Sequence, residues 1–241
     1  MHVQPLPGLA QLPYAEVWFH QVDDAAWRAA SDAARALGKT GIEVWTTTRT
    51  PEVAAFFEER GYAEVRRYVI SELDVTALPQ VEPPAFPLVT LAARPDLELP
   101  LFELARVAYA DQPGRAETTF ALDSWREWGL RAAPPEAFWI ALDGERVLGY
   151  GYLELKDGVW WNGFLAVARD ARGRGIAGAI KRAELAWARA RGIARLRTAT
   201  EVRLAPMRAL NARLGYQPLY EEIVLRGPRA SGRARPPRIV T

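Results

Sequence analysis

Apolar and polar positions follow two periods along this chain, and the switches between them mark out a repeated set of elements. Ala25 to Leu37 carries apolar residues at helical spacing and stops at Gly38. Ile42 to Thr46 alternates as a strand does, each side chain facing opposite to the one before. Thr50-Pro51 offers a helix start, with a capping hydroxyl and a proline in the first turn, and Gly61 offers a left-handed stop. Val65 to Leu73 reads as a strand. The same order recurs as helix Ile176 to Arg191, strand Ala194 to Thr200, helix Ala205 to Leu214 and strand Gln217 to Leu225.

The recurrence holds without a gap. Gly38 and Gly192 stand 154 positions apart, as do Gly61/Gly215 and Tyr62/Tyr216. Between them Ile42 matches Leu196, Thr46 matches Thr200, Val53 matches Met207 and Phe56 matches Leu210. Only the second copy has a front end. It comprises a strand from Phe86 to Ala93, helices Leu97 to Tyr109 and Thr119 to Leu130, and a hairpin of Phe138 to Leu142 with Arg146 to Leu155 turning at Asp143-Gly144. A strand from Val159 to Val167 follows the turn Asp157-Gly158. The order β-α-α-β-β-β-α-β-α-β predicts an α/β (α+β) fold, a mixed sheet with helices packed on it. The expected organisation is a partial copy over 1–75, a linker over 76–87 rich in proline (Pro79, Pro83, Pro84, Pro87), a complete domain over 88–226 and a basic flexible tail over 227–241.

Composition narrows the chemistry. With 49% hydrophobic and 25% charged residues, the chain reads as a soluble globular protein. A formal charge of +2 without a concentrated basic stripe argues against nucleic acid as a partner. There is no apolar run of about 18 residues to span a membrane, and the first residues lack the layout of a secretory signal; a cytoplasmic protein is expected. Cysteine is absent and only His2 and His20 are present. A thiolate metal site and a cysteine nucleophile are therefore excluded, a Ser-His-Asp triad has little material, and no metal is expected.

The chemistry-bearing segment is Arg169-Asp170-Ala171-Arg172-Gly173-Arg174-Gly175-Ile176-Ala177-Gly178, between a strand and a helix. Glycines near a helix start let the backbone approach a ligand without a Cβ in the way. The first helical N–H groups lack internal partners and carry the positive end of the helix dipole, so a pyrophosphate fits there beside Arg172 and Arg174. Behind the loop, Ile176, Ile180, Ala183 and Trp187 form an apolar stripe. A glycine-rich loop alone equally suits a tight turn before a packed helix.

Loop, element order and ending together resemble the GNAT N-acetyltransferase superfamily. Its pyrophosphate loop has the form Arg or Gln, two residues, Gly, one residue, Gly or Ala, and Arg172, Gly175 and Ala177 occupy those places. Ala205 to Tyr216 is similar to the family's last helix and its Gly-aromatic ending. The likeness covers about residues 86–226, and residues 14–73 resemble only the rear half of the same fold.

The resemblance implies transfer of an acetyl group from acetyl-CoA to an amine acceptor, a small molecule or a peptide, by direct attack in a ternary complex. The protein would be a monomer or a homodimer. Leu165, Ala166 and Val167 would pair with the pantetheine arm, and Arg172, Gly173, Arg174, Gly175, Ile176 and Ala177 would hold the pyrophosphate. Asn211 would face the thioester. Glu201, just past a strand end, and Glu154, in the hairpin, are the acidic candidates for the base that takes the amine's proton. Tyr109, Asp111, Thr118 and Tyr220 would line the acceptor site. Two departures bear on catalysis: Thr200 and Leu204 stand where close relatives often carry asparagines, and Asn211 where many carry a tyrosine acid. The alternative reading is a non-catalytic acyl-CoA-binding or regulatory module.

Overall fold

The computed structural model describes residues 3–5, 12–78, 86–112 and 119–230. In chain order its elements are β1 (Val3–Pro5), β2 (Tyr14–Trp18), α1 (Asp24–Ala36), β3 (Gly41–Thr47), α2 (Pro51–Glu58), β4 (Ala63–Asp74), β5 (Leu88–Thr90), α3 (Glu98–Ala110) and α4 (Leu122–Trp125). There follow β6 (Phe138–Asp143), β7 (Arg146–Lys156), β8 (Val159–Asn162), β9 (Ala166–Val167), α5 (Ile176–Ala190), β10 (Arg195–Glu201), α6 (Ala205–Arg213) and β11 (Gln217–Pro228). The spacing of 154 holds element by element, carrying the bounds of β3 onto β10 and those of β4 onto β11. The paired glycines share their left-handed backbone, Gly38 and Gly192 at φ +69° and +67°, Gly61 and Gly215 at +81° and +96°.

The chain divides into two compact units, Met1–Arg67 with Glu222–Thr241, and Tyr68–Glu221. The division falls inside β4 and β11 rather than in the proline-rich stretch. In the second unit, Tyr68 to Asp74 of β4 pair antiparallel with β10; in the first, Glu222 to Pro228 of β11 pair antiparallel with β3. The expected bounds of 88–226 group Glu222 to Arg226 with the second unit, whereas the contacts group them with the first. Alternation along a strand shows which face is buried and not which neighbour it joins. Of the expected linker, residues 79–85 lie outside the described residues, as do 231–241 of the expected tail, whereas Gly227 and Pro228 belong to β11.

In the first unit, β1 pairs antiparallel with β2, which runs parallel to β3. Val17, Ile42, Val44, Val53 and Phe57 build its core. Glu43 is fully buried on β3 and bridges Arg66 and Arg226, the latter at 2.6 Å. Removing the carboxylate would leave the buried Arg66 without its counter-charge, beside the partly exposed Arg226, a change that costs about 3–5 kcal/mol.

The sheet of the second unit runs β4-β10-β8-β7-β6-β5, with β8 and β10 parallel and the other pairs antiparallel. β7 is buried along almost its whole length because it is covered on both faces. On one face Leu153, Trp139 and Ala141 pack with Ile176 and Ile180 of α5. On the other, Phe138 stacks on Tyr150 and Tyr152 at 5.2 and 5.1 Å. Gly151 lets α5 lie close: a Cβ there would come within 2.8 Å of Ile180 Cγ2. Two elements depart from expectation. The helix expected over Thr119 to Leu130 is a single α-turn continued as a π-turn over Arg126–Leu130. The strand expected over Val159 to Val167 is broken in two.

Candidate functional site

That break builds the site. β8 pairs with β10 from Trp160↔Leu196 to Asn162↔Thr198, and there the pairing of the two strands ends. Against β7, Asn162 opposes Leu153 and Ala166 opposes Tyr150. The chain thus advances four residues while β7 advances three, which is a bulge that re-aims the backbone. β9 rejoins β7 through Val167↔Gly149, and Leu165, Ala166 and Val167 line a cleft of about 790 Å³.

The far wall of the cleft is the start of α5. Gly175 caps the helix at φ +83°, and no side chain caps it and no acid stands in its first turn. A Cβ built on Gly175 would meet no protein atom within 4 Å. The first residues of α5 line the cleft, and their N–H groups, without partners inside the helix, carry the positive end of its dipole. α1, at the corresponding place in the first unit, is different: Asp23 caps it, its Oδ1 accepting from Ala26 N at 2.7 Å.

Arg172, Gly173, Gly175, Ile176 and Ala177 all line this cleft, with Leu204, Met207, Leu210 and Arg213 from α6 and its approach. Arg174 belongs to the loop but lies outside the lining. Arg172 Nε donates to the Val167 carbonyl at 3.2 Å, and its Nη2 donates to Asp111 at the end of α3. Arg169 donates to the same carboxylate, Nε standing 3.0 Å from each oxygen. These bonds, Arg169's first, hold the Asp111 carboxyl down at about 2. Asp111 thus stands at the loop and in the lining of the cleft, paired to both arginines.

Asn211 is buried on α6, its Nδ2 donating to Thr200 Oγ1 at 2.9 Å, while its Oδ1 is buried with no hydrogen-bond partner. Tyr109 packs edge-on to Phe120 at 5.5 Å and against Trp128 and Phe164 at 5.8 and 5.9 Å; Phe164 also lines the cleft. Tyr220 lies in β11 outside the lining, and Thr118 lies outside the described residues.

The two candidate bases differ. Glu201 is buried, and its oxygens accept from Arg203 N at 2.8 Å and Arg203 Nε at 2.6 Å. Glu154 is buried on β7, on the face of Tyr150 and Tyr152, with Lys156 Nζ at 2.7 Å. Burial lifts its carboxyl above the ordinary value, against the opposing pull of Lys156. Neither lines the cleft itself.

Sequence reasoning missed several lining residues. Met207, Leu210 and Arg213 recur every three positions and so share one face of α6, a signal present in the sequence. Arg169, outside the lining, carried no signal of its pairing, because its partner Asp111 is 58 positions away.

This mixed sheet, split at one strand beside a glycine-started helix, is the GNAT fold. A GCN5-related N-acetyltransferase from Sphaerobacter thermophilus is similar at 18% identity and a TM-score of 0.71, over 95% of this chain and 76% of that one. A tandem GNAT protein from the clavulanic acid biosynthesis pathway is similar at 19% identity and a TM-score of 0.66, over 92% and 77%. So is a glucosamine N-acetyltransferase region of a fungal multi-domain β-N-acetylglucosaminidase, at 13% identity and a TM-score of 0.66, over 89% of this chain and 30% of that one. In sequence, residues 100–216, a little under half of the chain, match the model of the Acetyltransferase (GNAT) family. That match supports an acetyltransferase function in general terms. No curated protein matches the chain in sequence.

Proposed function

We propose that the second unit is an acyl-CoA-dependent N-acetyltransferase acting on an amine, and that the first is a partial, degenerate GNAT-like unit that binds no CoA. The observation that carries the reading is the meeting, in one cleft, of an uncapped helix start and a broken strand edge. The loop N–H groups and Arg172 suit a diphosphate. The backbone of Leu165 to Val167 suits an amide-bearing arm laid against it as a further strand.

When bound, acyl-CoA supplies an acyl group activated as a thioester. The chain's part is to hold it, exclude water and take the acceptor's proton. An amine is mostly protonated near neutrality and attacks only as the free base. Glu154 is the better base on two grounds: burial raises its carboxyl toward the working range, and Glu201 already spends both oxygens on Arg203. With no cysteine in the sequence, a thiol relay is unavailable, and direct attack within a ternary complex follows.

Thioester consumption measured over a panel of small-molecule and peptide amines tests this reading. Amine-dependent release of CoA is expected from at least one acceptor class. CoA binding without turnover on any of them would favour a non-catalytic acyl-CoA-binding module.

A further inference from the structure

Arginines of the second unit are mostly matched with carboxylates: Arg126 with Glu98, Arg146 with Asp170, Arg169 and Arg172 with Asp111, Arg203 with Glu201. Two that line the cleft are not. Arg182 on α5 and Arg213 on α6 make no ion pair among the described residues, and Arg182 Nε is buried without a hydrogen-bond partner. A buried, charged donor left unpaired is unfavourable, and an anion would satisfy it.

Their placement says which anion. Helical side chains lean toward the N-terminus of their helix. Arg182 does so: a Cβ built on Gly178 would stand 3.6 Å from its Nη2 and 3.8 Å from its Nη1. The guanidinium therefore lies over Gly178, within a turn of the Gly175 cap. The same point is 3.7 Å from Leu210 Cδ1 on α6, and Arg213 follows Leu210 by three residues on that helix face. Both cations thus border the groove between α5 and α6 beside the diphosphate loop.

Resting on the acyl-CoA reading above, we infer that Arg182 and Arg213 bind the 3′-phosphate on the ribose of CoA. CoA carries two phosphate groupings separated by that ribose, and the loop accounts for only one. Guanidinium forks match phosphate oxygens in pairs, and no carboxylate among the described residues pairs with these two.

Calorimetric titration of the full chain with CoA and with 3′-dephospho-CoA, which keeps the diphosphate and the pantetheine, tests the inference. CoA is expected to bind at least tenfold tighter. The double variant Arg182→Gln/Arg213→Gln is expected to bring CoA down to the dephospho-CoA affinity and leave the latter unchanged. Equal affinities in the wild type would overturn the inference and leave the acyl-CoA reading standing. A preference surviving in the double variant would overturn the assignment to these two residues. Binding of neither ligand would overturn both readings. Should the double variant not fold, exposed Arg213→Gln alone must cut the preference at least threefold, and an undiminished preference counts against the inference.

Discussion

Asp111, at the end of α3, accepts a hydrogen bond from Nη2 of Arg172, the arginine that opens the loop motif. The carboxylate, half-buried with its side chain 18% exposed, occupies a cation that a diphosphate would use. It also sets a like charge beside that diphosphate. Asp111→Asn should therefore tighten CoA binding about fivefold, roughly 1 kcal/mol, within the range of partly exposed ion pairs. Calorimetry on wild type and variant reads this directly. Weaker binding in the variant would mean that Asp111 instead holds Arg172 in its working position.

Gly175→Glu should lower CoA affinity at least tenfold, about 1.4 kcal/mol. The new carboxylate would project from the helix start into the space proposed for the diphosphate, because an added Cβ there meets nothing of the protein. The backbone at φ +83° adds a penalty of about 1–2 kcal/mol for any side chain. Thermal melting should show a lower but cooperative transition, and an undiminished affinity would argue against the loop as the binding site.

Turnover should fall about a hundredfold in Glu154→Gln, while CoA affinity barely changes. The pH profile gives a second reading. Since burial raises the Glu154 carboxyl, the wild-type rate should climb with pH through an ionisation above the ordinary carboxylate value, as the base loses its proton. If the variant turns over at the wild-type rate, Glu201→Gln is the next test, and the base assignment moves there.

Beneath the strand break, Glu184 of α5 accepts from Asn162 Nδ2 at 2.6 Å, with the buried Lys181 on the same helix. Burial pushes the Glu184 carboxyl up to about 7, with Lys181 and Asn162 opposing. Its folded pKa thus exceeds its unfolded one. Between the ordinary carboxylate value and about 7 the folded chain holds the extra proton, so stability falls as pH rises through that window. Glu184→Gln should flatten this fall in melting curves taken across the window, and a fall of unchanged steepness would assign it to another group.

Much of the fold was legible because each copy carries its own punctuation. Gly38, Gly61, Gly192 and Gly215 stop helices or turns at positive φ, a conformation with a residue preference that sequence displays. The loop was legible for the same reason: Gly175 and the residues beside it state the geometry of the helix start. Long-range partners were not. Nothing local tells that β10 pairs with β4, or that Asp111 belongs to Arg169 and Arg172. The strand break was hidden as well, since Val159 to Val167 is apolar and aromatic enough to run on, and only the end of its pairing with β10 and its shift of register against β7 divide it.

The proposed function requires a single acyl-CoA site, in the cleft of the second unit. The first unit repeats the rear elements, but Asp23 fills the start of α1, and Phe57, buried among Phe19 and Tyr62, stands where the second copy has Asn211. Titration calorimetry of the full chain with CoA should give one site per chain, abolished by Gly175→Glu. Two equivalent sites per chain would show that the first unit also binds CoA, and one site that persists unchanged in that variant would show that CoA binds elsewhere than the loop.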